Sequence, residues 1–162
     1  MSAIVIKDIV DEDFINYKRP SMFIATSRCS FKCEKESGVR CCQNSALAQS
    51  KSIEIDDDEI ITRYSQNPIT SAIVFGGLEP FDQFEELYHF ISHLRRFHKC
   101  NDTIVIFTGY NQTEILFSIK RLSEFKNIIV KFGRFNPNQE RHFDKVLGVY
   151  LASPNQYAKE IS

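Results

Sequence analysis

From Ser21 onward the chain repeats one pattern: a short unbroken apolar run, then a segment whose apolar residues recur every three or four positions. The runs are SMFIATS (Ser21–Ser27), TSAIVFGG (Thr70–Gly77), TIVIFTGY (Thr103–Tyr110), NIIVKFG (Asn127–Gly133) and KVLGVYLAS (Lys145–Ser153). Continuous stretches of this kind, rich in β-branched residues, predict strands buried on both faces. Between them, Phe84, Leu87, Ile91 and Leu94 have the spacing of a helix packed on a sheet, as do Ile115, Ile119 and Leu122. An earlier helix is expected in SIEIDDDEIITRYSQNP. Asp56–Asp58 suit its N-terminus, Ile60, Ile61 and Tyr64 give it an apolar side, and Pro68 follows its end.

Strands alternating with helices, without hairpin signals, predict one α/β domain over residues 1–162 with a mainly parallel sheet. About five strands are too few for a closed eight-stranded barrel, so the expectation is an open, curved, partial (β/α) barrel. Right-handed crossovers place the strands' C-terminal ends on one edge, and in such sheets ligands bind there. Cys29, Gly76, Gly77, Thr108, Gly109, Gly133 and Ser153 stand at those ends.

Composition adds a compartment. The chain is 43% hydrophobic over 162 residues, enough to build a core without cross-links. A formal net charge of -1 gives no general attraction to nucleic acid or to a membrane surface. No apolar run approaches the roughly 20 residues of a membrane span. The N-terminal MSAIVIKDIVDEDF carries acids where a secretory signal needs a basic flank and an apolar stretch, so a cytoplasmic location is expected.

In a reducing compartment a cysteine cluster points to metal or catalysis rather than to disulfides. Four of the five cysteines, Cys29, Cys33, Cys41 and Cys42, fall in RCSFKCEKESGVRCCQN, Arg28 to Asn44. Three thiolates on one irregular loop can hold three irons of a 4Fe-4S cube and leave the fourth iron open. A structural zinc site calls for four closing ligands, commonly in two closely spaced pairs, and zinc through all four cysteines remains the alternative: a non-catalytic metal-binding module.

Taken together, CSFKC, CQN, VFGGLEPF, IFTGY, IIVKFGRF and ASPNQ resemble the radical SAM family, in particular the activating protein of anaerobic ribonucleotide reductase, from about Met22 to Gln156. The resemblance implies a 4Fe-4S cluster held by Cys29, Cys33 and a third cysteine. In that family the third cysteine is followed by a polar residue and an asparagine, which Cys42-Gln43-Asn44 matches, so Cys42 is preferred over Cys41. Eight residues separate Cys33 from Cys42 where the family has two, giving a Cys-X3-Cys-X8-Cys loop.

The resemblance also implies that Gly76, Gly77 and Glu79 form the motif holding the amino group of S-adenosylmethionine (SAM), with Leu78 as an extra residue. Thr108 is placed to hydrogen-bond the ligand, and Ser153, Asn155 and Gln156 fall near the active edge. Phe132 stands where the family commonly has aspartate. The implied activity is anaerobic: reductive cleavage of SAM to a 5′-deoxyadenosyl radical, with an electron donor such as flavodoxin. The implied partner is a glycyl-radical enzyme, anaerobic ribonucleotide reductase or one similar. Outside these motifs, His89 and His93 are read as surface or boundary residues, Cys100 as incidental, and Asp56–Asp58 as a helix start.

Overall fold

The computed structural model describes residues 2–28 and 50–162. Cys29, Cys33, Cys41 and Cys42 lie outside them. Strand β1 (Ala3–Asp13) pairs antiparallel with β2 (Ser21–Thr26), and β3 (Ile53–Asp56) pairs antiparallel with the other side of β1. Helix α1 (Asp57–Ser65) follows at once. Asp56 caps it, accepting the Asp58 N–H at 2.8 Å, and acids fill its first turn as the dipole favours.

The chain then runs through β4 (Ala72–Gly77), a 3-10 turn (Pro80–Gln83), α2 (Phe84–Ser92) and a π turn (His93–Phe97). Beyond lie β5 (Thr103–Phe107), α3 (Leu116–Leu122) and β6 (Ile128–Phe132). A short hairpin of β7 (His142–Asp144) and β8 (Val149–Leu151) precedes the last strand, β9 (Tyr157–Glu160).

Seven strands form one sheet in the order β3-β1-β2-β4-β5-β6-β9. Its centre, β2-β4-β5-β6, is parallel, and antiparallel pairs flank it on both sides. The mixed α/β class and the parallel core agree with the sequence pattern. The sheet does not close on itself, and the partial barrel expected from the sequence stands here as an open sheet. Among the described residues no helix is long and apolar enough to cross a membrane.

Two corrections concern KVLGVYLAS. It is not a strand of the main sheet, and a hairpin exists where none was signalled. The Asp144 side chain accepts the Leu147 N–H at 2.9 Å, and the Gly148 N–H donates to the Asp144 carbonyl at 2.8 Å. Gly148 sits at φ 73, a left-handed turn that glycine adopts without penalty. These bonds fold the run back on itself, so only Val149–Leu151 is extended, paired with β7.

Strand alternation divides the apolar side chains between two faces. Ile24, Ile73, Phe75, Ile106, Val130 and Phe132 join Leu87, Phe90, Ile91 and Leu94 in a cluster beneath the helices. Phe75 meets Phe90 edge to face at 5.4 Å, an arrangement adding about 0.5–1.5 kcal/mol beyond area burial. On the other face Ala72, Val74, Val105 and Ile129 pack against Tyr17, Leu147 and Leu151. That second cluster covers only the lower part of the strands.

Candidate functional site

Above the second cluster, on the same face, the strands continue into Gly76, Phe107 and Lys131, two residues beyond Val74, Val105 and Ile129. These positions, with Phe23, floor a cavity of about 790 Å³ at the C-terminal edge of the parallel strands. Its volume falls in the range of small-molecule sites. The hairpin side supplies Arg141 and Tyr150, and Ile15 reaches it from the β1–β2 connection.

The end of β2 is pinned to the end of β4. Thr26 Oγ1 donates to the Gly76 carbonyl at 3.0 Å, and the Ser27 N–H donates to Gln83 Oε1 at 2.9 Å. The Glu79 N–H donates to the Arg28 carbonyl at 2.7 Å, so the last residue before Cys29 is fastened to the turn that carries Glu79. Gly77 takes φ 78 to make that turn, a conformation glycine adopts without penalty.

Glu79 is 6% exposed. Its Oε1 accepts the Thr108 hydroxyl at 2.7 Å and the Gly109 N–H at 2.8 Å, and its Oε2 accepts the Phe81 N–H at 3.1 Å. Burial pushes its carboxyl up to about 7, against the opposing pull of these three donors. A buried carboxyl poised near neutrality in a cavity wall is a usual mark of a functional site.

Gly76, Gly77, Glu79 and Thr108 all line the cavity. Thr108 gives its hydroxyl proton to Glu79 and accepts the Tyr110 N–H at 3.0 Å, so it orients the carboxylate. Ser153 and Asn155 are not lining residues. Ser153 Oγ accepts the Asn136 N–H at 3.3 Å, and Asn155 Nδ2 donates to the Arg134 carbonyl at 2.8 Å. Gln156 does reach the cavity: its Oε1 accepts the Ala152 and Ser153 N–H groups at 3.0 and 3.1 Å. Around Gly133, at φ 104, an added Cβ would stand 2.9 Å from the Asn155 carbonyl oxygen, so this segment closes tightly over the end of β6.

Phe132 faces away, fully buried in the helix-side cluster and tilted against Tyr157 at 5.4 Å. Its neighbour Lys131 faces the cavity instead, 7% exposed, with Nζ donating to the Gly133 carbonyl at 3.1 Å and lying 5.7 Å from the Phe107 ring centroid. Sequence reading passed over Lys131. The signal was there: a lysine inside an unbroken apolar run has to find a polar destination when the strand is buried. The cavity thus presents a buried carboxyl beyond the end of β4 and a buried ammonium on β6, with β5 between them.

Cys100 packs, half-buried, against the helix-side core, and burial pushes its thiol up. It stands apart from the cavity. A family model described as "4Fe-4S single cluster domain" matches residues 18–153. No curated protein and no solved structure matches the chain.

Proposed function

This chain belongs to the 4Fe-4S single cluster domain family, and from that premise we propose that it is a radical SAM enzyme of the glycyl-radical activating type. The observation that carries the reading is Glu79, buried in the cavity wall and bonded through its own backbone to the residue preceding Cys29. That bond holds Arg28, the residue before Cys29, against the turn that carries Glu79. Cys29, Cys33 and Cys42 hold the cluster in this reading.

The residues suit SAM. Glycines at the end of β4 leave the strand end open to close approach, and the Glu79 carboxylate faces the ligand's amino group. An arriving ammonium favours the charged carboxylate and draws its pKa back down. Lys131 offers its cation to the ligand's carboxylate across the same cavity. When bound, the two cofactors supply reductive cleavage: one electron from an outside donor such as flavodoxin splits the S–C5′ bond into methionine and a 5′-deoxyadenosyl radical, which takes a hydrogen atom from a substrate carbon.

The substrate is a glycine Cα on a glycyl-radical enzyme of the anaerobic ribonucleotide reductase kind. Ile15 and Tyr150, 77% and 60% exposed, flank the cavity, and Phe143 packs on Tyr150 at 5.4 Å. Apolar side chains gathered at a cavity rim suit a docking protein loop.

Anaerobic reconstitution followed by reduction in the presence of SAM tests the proposal. The expected result is a brown protein that forms 5′-deoxyadenosine. A colourless zinc protein that leaves SAM intact under every reductant would overturn it in favour of a non-catalytic module. Alanine substitution of Cys42 is expected to abolish the cluster, and of Cys41 to spare it.

A further inference from the structure

At the far end of α2 from Glu79, three ligand-bearing side chains meet outside the cavity. His93 Nε2 lies 2.6 Å and His98 Nε2 2.8 Å from the same oxygen, Asp58 Oδ1. The ligating atoms of all three residues lie within 4.8 Å of one another. We propose that Asp58, His93 and His98 bind a divalent transition-metal cation of the zinc class, through two imidazole nitrogens and one carboxylate oxygen.

The backbone is shaped for this. On an α-helix, residues five apart point about 140° away from each other. Here the helix widens into a π turn, with the His98 N–H donating to the His93 carbonyl at 3.2 Å, and positions five apart come onto one side. Such turns are rare and frequent at functional sites. The imidazoles are 4.9 Å apart at 82°, and Phe97 lies flat against His93 at 4.9 Å and 12°, restricting its ring. Asp58 comes from the first turn of α1, so the cation would join two helices. Each imidazole is 27% exposed and Asp58 48%, leaving an entry path and at least one coordination position for water.

The donor set of two imidazoles and one carboxylate suits zinc, cobalt and their neighbours rather than calcium or magnesium. His89 takes no part, being exposed on another side of α2 with Glu85 at 4.0 Å. This proposal does not depend on SAM chemistry.

The test adds Co²⁺ and, separately, Zn²⁺ to the reconstituted full chain. It records visible ligand-field absorption, thiolate charge-transfer bands, bound metal per chain and melting temperature. The expected result is one further ion with nitrogen/oxygen ligand-field bands, no added thiolate charge transfer, and a raised melting temperature. His93→Ala and His98→Ala are each expected to weaken binding beyond the roughly 10–100-fold that loss of an outer-shell partner costs. Should either variant not fold, the wild-type spectrum alone decides. Cobalt bound solely through thiolates, no bound ion, or binding retained in both variants would overturn the proposal and leave a hydrogen-bonded trio.

Discussion

The two faces of the central sheet share the same strands and differ in almost everything else. Beneath the helices, Phe75, Ile106, Val130 and Phe132 are fully buried in a hydrocarbon layer. One residue along each strand, on the opposite face, Gly76, Phe107 and Lys131 surround a cavity with Glu79 in its wall. A period of two lets each strand serve as core and as site, so rigidity and reactivity are set by neighbouring residues of one segment.

The contrast can be broken by substitution. Phe75→Ala empties the helix-side layer and is expected to cost about 3–5 kcal/mol in urea unfolding. A loss under 1 kcal/mol would show that this layer is not what holds the sheet. On the cavity side the largest effect is one of pH. Folded Glu79 keeps its proton to about pH 7, whereas an unfolded glutamate releases it near 4.5. Between those values the unfolded chain binds fewer protons, so stability falls as pH rises, by at most about 3 kcal/mol, and levels above. Wild type compared with Glu79→Gln across that window is expected to show this slope in wild type alone. Equal slopes would place the carboxyl in water.

Smaller effects sharpen the comparison. In Gly76→Ala the new Cβ meets Phe23 Cε2 at 3.0 Å, so the ring has to shift. We expect about 1–3 kcal/mol of destabilisation together with weaker SAM binding by calorimetry. Unchanged SAM affinity would remove Gly76 from the cavity floor. Least of all should be Arg63→Ala, which breaks the exposed pair with Asp11 at 2.5 Å for no more than about 1 kcal/mol in thermal melting.

Reading the chain alone recovered the parallel strands, because each is an uninterrupted apolar run between helical segments. β1, β3 and β9 escaped notice for a physical reason. Toward the sheet edges one side meets water, so AIVIKDIVDED and YAKE mix charge with apolar residues and resemble surface chain. KVLGVYLAS was misread because composition does not reveal that Asp144 and Gly148 close a turn within it. At the candidate site, the pattern put Gly76, Gly77 and Thr108 at strand ends and the resemblance pointed to Glu79; all four line the cavity. Lys131 was hidden by the hydrophobicity of its neighbours. The pairing of His93 with His98 was invisible under an α-helical period, and only the π turn reveals it.

The order of the sheet has a consequence for the long cysteine segment. It leaves the sheet after β2 and returns at β3, and only β1 lies between those strands. Two strand spacings amount to about 10 Å, a short gap for either a compact or an extended connection to bridge. The entropy of closing such a loop grows with the logarithm of its length, so even doubling it costs only about 0.6 kcal/mol. The six residues beyond the Cys33–Cys42 spacing that the resemblance implies would therefore add little to the cost of closing that loop. At this junction a change in chain length costs little while the strands on either side stay as they are.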